Sequence, residues 1–228
     1  MTLVEILIVI AILVVLAAIT VPLVGRMKSK AQSTECVSNL RQLVAIATME
    51  ASETGFYPPM LSQSTNSNGA LAHNGNHFYS LTEDMTCVSC PAAKYTGYDS
   101  KNRPVTAYGG NPMVMVFYRD GNPPLVRPSQ IKRPSEVLLM GDSAQHGPPN
   151  QRSLGWFARW YGSRTGKPED AEKALTTAEI PASGFWDPDV ATLPLRHDGR
   201  ANLAFCDGHV ISIGSISELK QKNLYWNY

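Results

Sequence analysis

The chain has 228 residues and a formal net charge of +1 at pH 7. Its length suits one domain of ordinary size behind an N-terminal segment. The balanced charge gives no electrostatic bias toward nucleic acid or acidic ligands, and we therefore expect no nucleic-acid partner.

The first element is an apolar run from Ile6 to Val24 that only Thr20 interrupts. A run of about 20 residues is long enough to cross a membrane as a helix. Glu5 lies at its start, and a carboxylate at the edge of hydrocarbon is costly unless a cation pairs with it. No side chain among the first 25 residues is basic, so the candidate cation is an α-amino group. The pattern indicates a helix that is held in a membrane at one stage and packs against copies of itself at another.

A secretory signal peptide fits poorly, because such peptides begin with a basic region and end at a small-residue cleavage site. Here Arg26, Lys28 and Lys30 follow the apolar run. A plain membrane anchor remains an alternative, and the positive-inside rule would then place the rest of the chain in the cytoplasm. The cysteine content, considered below, argues against that compartment.

The pentad Met1-Thr-Leu-Val-Glu5, followed by an apolar helix with Pro22, resembles the mature N-terminus of type IV pilins and type II secretion pseudopilins. The resemblance implies a prepilin peptidase that cleaves just before residue 1 and methylates the new amine. Met1 stands where the family usually has Phe. Met1 is therefore either the first residue after processing or the initiator methionine. The resemblance further implies that Glu5 pairs with the Met1 amine of a neighbouring subunit. Buried ion pairs of this kind add little stability but can set register.

Beyond Val24 the chain becomes amphipathic, with apolar residues at helical spacing. They are Val37, Leu40, Leu43, Val44, Ile46 and Ala47. We predict one helix to about Glu53, ended by Gly55 and the two prolines that follow. At 1.5 Å per residue it would be roughly 75–80 Å long.

Pro22 and Gly25 interrupt this helix, and a proline removes one backbone hydrogen bond. We therefore predict a kink or a locally melted stretch around 18–25 in the assembled form. The predicted organisation is a polymerisation and transmembrane helix over 1–31 and a globular pilin-like head over 32–228. The head includes the amphipathic half of the helix, 32–53.

The segment 62–76 consists largely of polar, turn-forming residues and predicts a long surface loop, whose hydroxyls are weak candidates for O-glycans. Short strand signals at 105–108, 113–118 and 137–140 predict a small antiparallel sheet. The clearest hairpin joins 201–206 to 209–213 through Asp207-Gly208, a turn in which both residues need positive φ. Short helices are predicted at 169–178 and 215–222. A long helix whose C-terminal half packs on such a sheet is a pilin-like α+β fold.

The spacing from His197 to Asp207-Gly208 resembles the His-x9-Asp-Gly signature of a pilin-like group whose name associates it with prepilin processing. Segments 36–42, 90–91 and 138–143 are also similar to that group. An extended strand over 201–206 would place the two side chains roughly 20–30 Å apart. We therefore predict that Asp207 is a turn residue and that His197 is a packing or interface residue. A shared metal or acid–base site is the alternative.

Other candidate sites are weaker. Asp187 and Asp189 are weak calcium candidates, since pseudopilins bind calcium near their C-termini, but no regular calcium-loop spacing is present; we expect no cofactor. Asp142-Ser143 with His146 suggests hydrolase chemistry, yet Gly-x-Ser-x-Gly is absent and no nucleophile–base–orienter set appears. We predict that the chain is not an enzyme. The aromatic and basic residues of 156–161 are suited to stacking on bases or sugars, although a core edge or subunit interface is favoured.

The four cysteines are Cys36, Cys87, Cys90 and Cys206. Zinc binding needs a second close pair, which Cys87-x2-Cys90 lacks, and an even count in an exported domain favours two disulfides. Three connectivities are possible, and we favour Cys36 with Cys90 and Cys87 with Cys206. A bridge from Cys36 would fasten the helix to the sheet region.

The sequence thus predicts a structural subunit of an extracellular type IV pilus-like filament. We expect a helical homopolymer at the cell surface that is held in the inner membrane before assembly. Its other expected partners are the prepilin peptidase and the pilus or secretion assembly machinery. The alternatives are a type II secretion pseudopilin and a membrane-anchored periplasmic binding module.

Overall fold

A computed structural model describes residues 2–65, 71–73, 81–82, 85–94, 96, 105–119, 124–145, 167–176, 180 and 193–227. The chain combines one long N-terminal helix with a four-stranded antiparallel sheet and a second, three-stranded sheet. This confirms the predicted α+β class.

Helix α1 spans Leu3–Thr54. It begins with a capping box in which Thr2 and Glu5 satisfy each other's backbone N–H groups, at 3.4 Å and 2.6 Å. It ends at Gly55, whose φ of 82° lies in the left-handed region that glycine adopts without strain. The predicted C-terminus is therefore confirmed. The helical backbone runs without a break through positions 22 and 25, so the interruption stays a prediction for the assembled form.

The main sheet has the order β3-β5-β6-β7, with every pair antiparallel. Its strands are β3 Tyr108–Gly110, β5 Leu138–Asp142, β6 Ala201–Phe205 and β7 Val210–Ile213. The second sheet has the order β2-β1-β4. Its strands are β1 Leu61–Thr65, β2 Leu71–His73 and β4 Phe117–Arg119. Within the described residues, the other α-helix is the single turn α2, Gln221–Leu224.

The loop predicted over 62–76 is wrong in part, because β1 and β2 lie within it and pair with each other. Ladder hydrogen bonds use backbone groups, so a polar sequence can still form a sheet when a partner strand is available. Strand β4 supplies that partner on the other side of β1.

The strand predicted over 113–118 is also wrong over its first half, because Asn111 fixes a turn there. Its side-chain amide donates to the carbonyls of Leu138 and Leu224, both at 2.8 Å, and its side-chain oxygen accepts from the N–H of Met113 at 3.0 Å. The apolar residues that suggested a strand are buried in this turn instead. Similarly, the strand predicted over 105–108 is displaced to β3.

The helix predicted over 169–178 is a 3-10 turn at Pro168–Asp170 and is wrong over 171–176, while positions 177 and 178 lie outside the described residues. The backbone there pairs with the C-terminal segment, since the N–H of Leu175 donates to the carbonyl of Leu219 at 2.8 Å and Ala174 forms a bridge with Lys220. The helix predicted over 215–222 is a 3-10 turn at Ile216–Glu218 followed by α2.

The predicted hairpin β6–β7 is confirmed, but its turn differs from the expected one. Gly208 alone has a positive φ, 91°, while Asp207 lies outside the left-handed region. The N–H of Gly208 donates to the carbonyl of Phe205, and the N–H of Phe205 donates to the carbonyl of His209, both at 2.9 Å. This is a three-residue loop that ends in a glycine bulge, which needs positive φ at one position only.

The main sheet is buried on both faces, and α1 covers one of them. The residues of α1 that form the core lie on one helical face: Cys36, Leu40, Leu43, Val44, Ala47 and Ala51. Successive residues of β6 alternate, with Ala204 in this core and Leu203 and Phe205 in a second core on the opposite face. Among the described side chains, the first fully buried residue of α1 is Cys36, and the N-terminal part Leu3–Val21 has no buried residue.

Candidate functional site

The exposed N-terminal part of α1, which we call the apolar stem, spans Leu3–Val21 and has a mean hydropathy of 3.1. None of it is buried, and its large hydrophobic side chains are between 49% exposed at Ile6 and 81% exposed at Leu3. By length and composition it is able to cross a membrane. The core helix of a soluble protein and a signal sequence meet the same criterion. An uninterrupted apolar surface of this size requires a cover of lipid or protein.

Glu5 has a local structural role that the sequence analysis did not identify. Its carboxylate accepts from the N–H of Thr2 at 2.6 Å and thereby completes the N-terminal cap of α1. A capping box accepts either Glu or Gln at this position. The cap alone therefore does not account for a charged residue. Met1 lies outside the described residues.

The two ends of the His-x9-Asp-Gly motif lie on either side of β6 and have separate partners. His197 is 3% exposed and faces Asp142 and Cys90. Asp207 is exposed, and its carboxylate contacts the ring of His209 at 2.6 Å. The structure therefore does not bring His197 and Asp207 together, and the predicted turn position of Asp207 is confirmed. Asp207-Gly208 lines a groove against the C-terminal part of α1.

One of the two favoured disulfides is present. Cys36 on α1 is bonded to Cys90, with a Cα–Cα distance of 5.5 Å, so the helix is fastened to the head as predicted. The predicted Cys87–Cys206 bond is wrong, because both cysteines are buried and neither forms a disulfide. Cys206 lies at the hairpin turn, where burial raises its pKa to about 12 and its thiol is hydrogen-bonded to the hydroxyl of Tyr57.

A buried polar cluster surrounds that disulfide. It consists of Asp142, His197, Cys36 and Cys90, and we call it the Asp–His–disulfide cluster. Asp142 Oδ2 accepts from the N–H of Asn202 at 2.7 Å and lies 3.3 Å from His197 Nε2. The same Nε2 lies 3.6 Å from Cys90 Sγ. The side chains of His197 and Asp142 are 1% and 0% exposed.

Sheet register and chain reversal position these groups. Asp142 is the last residue of β5, and the residue before it, Gly141, pairs with Leu203 of β6. His197 precedes β6 in a tight turn closed by hydrogen bonds between its backbone and that of Arg200. Antiparallel pairing therefore places the end of β5 beside the residues that lead into β6.

Arg196 supplies a positive charge next to the cluster. Its Nη2 donates to the carbonyl of Ser143, and burial lowers the pKa of its guanidinium while the charge of Asp142 opposes that shift. Buried charges are costly unless they are paired. Arg196 thus places a positive charge near enough to the Asp142 carboxylate to interact with it electrostatically.

The hydrogen-bonding capacity of the cluster is incompletely used within the described part of the chain. Asp142 Oδ1 and His197 Nδ1 are buried there without a hydrogen-bond partner. Unpaired buried polar atoms are uncommon and call for an explanation, such as a functional role or a bound ion or water. A groove of about 650 Å³ borders His197, lined by Gly25, Ser29, Lys30, Ser33, His197 and Asp198.

Other predicted site residues lie outside the described part of the chain: Asp187, Asp189, His146 and the segment 156–161. The side chain of Pro22 is also outside it, although its backbone is helical. Sequence reasoning missed the pairing of Asp142 with His197 and the charge of Arg196. Two signals pointed to Asp142, the resemblance of 138–143 to the pilin-like group and the Asp142-Ser143 pair near His146, and neither carried information about His197 as its partner.

Comparison of this chain with protein-family models, with curated proteins and with solved structures finds no match.

Proposed function

We propose that this chain is a structural subunit of a type IV pilus-like extracellular filament. In this proposal it is held in the inner membrane by the apolar stem and polymerises through the same segment. The observation that carries the proposal is the stem itself, which is fully exposed yet continuous with the half of α1 that packs on the head. Large side chains account for 14 of its residues. Completing their burial is worth on the order of 10–30 kcal/mol.

The joint between stem and head supports a filament over a plain anchor. An anchor needs only a tether, whereas a filament subunit must transmit force from its packed helix to its head. Here α1 continues from the stem into the core, and the Cys36–Cys90 disulfide fastens it to the loop before the main sheet. Pulling on the stem would therefore load a covalent bond as well as the packed face of α1.

The second part of the proposal concerns Glu5, which pairs with the amine of Met1 in a neighbouring subunit. The charge of Glu5 is unnecessary for its cap, as glutamine serves equally well there. In a low-dielectric stem bundle, a carboxylate without a cation would be strongly unfavourable. Pairing between subunits would fix their axial register, which is the best-supported use of a buried ion pair.

The experiment compares Glu5→Gln, Glu5→Ala and native cells by electron microscopy of sheared surface material, with immunogold labelling of this chain. Glu5→Gln keeps the helix cap and removes the charge, whereas Glu5→Ala removes both. Glu35→Gln is the matched control, because Glu35 is an exposed acid on the same helix outside the stem. Mass spectrometry of the purified chain tests whether Met1 carries an N-methyl group.

We expect labelled filaments from native and Glu35→Gln cells and none from either Glu5 variant. Filaments from Glu5→Gln cells would show that Glu5 acts as a cap and would refute the ion pair. If native cells yield no labelled filament and the chain stays in the inner membrane, the pilus proposal is wrong. A secretion pseudopilin or an anchored binding module would then be the better explanation.

A further inference from the structure

We propose that the Asp–His–disulfide cluster is a zinc site when its disulfide is reduced. The ligands would be the sulfurs of Cys36 and Cys90 and Nε2 of His197, and the fourth position would be open to water. The site is independent of the filament proposal, because it lies in the head and uses none of the stem.

The orientation of His197 distinguishes a metal site from an acid–base relay. In a relay the imidazole uses its two nitrogens toward two different partners. Here one nitrogen, Nε2, faces both Cys90 Sγ and Asp142 Oδ2, while Nδ1 contacts no polar partner in the described part of the chain. The donor atoms of Cys36, Cys90 and His197 all lie within 4.8 Å of one another. Donors that converge on one point are typical of metal ligands.

The distance from His197 to Cys90 agrees with tetrahedral zinc. Zn–S and Zn–N bonds of about 2.3 and 2.05 Å at a tetrahedral angle place nitrogen about 3.6 Å from sulfur. The observed separation of His197 Nε2 from Cys90 Sγ is 3.6 Å. The two sulfurs would separate to about 3.8 Å once their bond is broken. His197 therefore already stands at ligand spacing from Cys90.

The chemistry balances with a dithiol as reductant. Two electrons and two protons from the dithiol convert the disulfide to two thiols, and the dithiol becomes a disulfide. Zinc then displaces the two thiol protons, and neutral His197 binds through the lone pair on Nε2 with its proton on Nδ1. The zinc charge of +2, two thiolates, one carboxylate and the guanidinium of Arg196 sum to zero, so the buried site is electrically balanced.

Both states would fasten the same two parts of the molecule. Cys36 belongs to α1, whereas Cys90, Asp142 and His197 belong to the head. The N–H of Asn202 holds Asp142 Oδ2 beside His197 Nε2, so this carboxylate would stay next to the site without binding the metal. Zinc would thus hold the helix to the head in a chain whose disulfide has not yet formed.

The test uses the full-length chain in detergent, reduced with a phosphine, stripped with EDTA and exchanged into metal-free buffer. Bound zinc is measured per chain, and thermal unfolding is followed by circular dichroism. Cobalt(II) is added to a parallel sample to detect cobalt–thiolate charge-transfer absorption. His197→Ala and Cys36→Ser remove ligands. The matched controls are His209→Ala, at an exposed histidine, and Cys87→Ser, at a buried thiol outside the ligand set.

We expect one zinc per reduced chain and none on the oxidised chain. The thermal midpoint of the reduced chain should rise by about 5–10 °C at zinc 100-fold above its Kd. His197→Ala and Cys36→Ser should lose the rise, and both controls should keep it. If reduction unfolds the chain, zinc should restore its native circular dichroism. No midpoint shift and no cobalt–thiolate band in the reduced native chain would overturn the proposal. Binding that survives His197→Ala, or that requires Cys87, would also overturn it.

Discussion

Breaking the Cys36–Cys90 disulfide should remove a large part of the stability of the head. The bridge closes a chain segment with a sequence separation of 54. The loop-entropy relation for this length gives about 4 kcal/mol of stabilisation through restriction of the unfolded chain. This is about a quarter or more of the total stability of a typical domain, which is about 5–15 kcal/mol.

The assay is urea unfolding of the full-length chain in detergent, followed by near-ultraviolet circular dichroism, with and without a phosphine reductant. EDTA is present throughout so that no metal stabilises the reduced form. With a slope of about 2 kcal/mol per molar urea, the loss corresponds to a midpoint lowered by about 2 M. The double variant Cys36→Ala/Cys90→Ala is the control, because its midpoint should not respond to the reductant.

A midpoint change below about 0.5 M would contradict the reasoning, since it corresponds to only about 1 kcal/mol at this slope. Such a result would mean that the unfolded chain keeps the two segments close together even without the bond. A reductant-sensitive midpoint in the double variant would instead assign the effect to another disulfide.

Three further predictions concern packing, backbone and thiols. Leu40→Ala should lower the free energy of unfolding by about 2–5 kcal/mol, because Leu40 is fully buried where α1 meets the sheet. Met49 is 64% exposed on the same helix, so Met49→Ala should change it by less than about 0.5 kcal/mol. Equal effects of the two substitutions in urea unfolding would refute this orientation of the helix. Gly208→Ala should lower the free energy of unfolding by about 1–2 kcal/mol, because the φ of Gly208 is 91°. Gly25 lies in the helix with open space around it, so Gly25→Ala should leave stability unchanged or raise it by up to about 1 kcal/mol. Unchanged stability in Gly208→Ala would argue against the bulged turn. Iodoacetamide at pH 8 should leave the native chain unlabelled, because Cys87 and Cys206, which form no disulfide, are both buried and burial raises the pKa of Cys206 to about 12. Mass spectrometry should then find two labels after denaturation alone and four after denaturation with reduction, whereas no label after denaturation alone would restore the two-disulfide prediction.

Local sequence patterns predicted the elements that depend on neighbours along the chain. The apolar periodicity of α1 and the glycine at position 55 located the buried helix face and the helix end, because side-chain spacing and positive φ are local properties. The Asp207-Gly208 pair located the hairpin for the same reason. The type of turn was missed, since a two-residue and a three-residue loop can share the same residues and differ only in strand register.

The tertiary structure decided whatever depends on contacts between distant segments. Asn111 makes a turn of an apolar stretch because its amide reaches the carbonyls of Leu138 and Leu224, and no local pattern encodes those partners. The Asp–His–disulfide cluster likewise joins residues from α1, from the turn before the main sheet, from β5 and from the approach to β6. The sequence by itself determined an apolar helix joined to an α+β head, because hydrophobic spacing and chain-reversing residues act locally. Only the fold decided which cysteine faces which and what surrounds His197, because sheet register and helix docking bring those groups together.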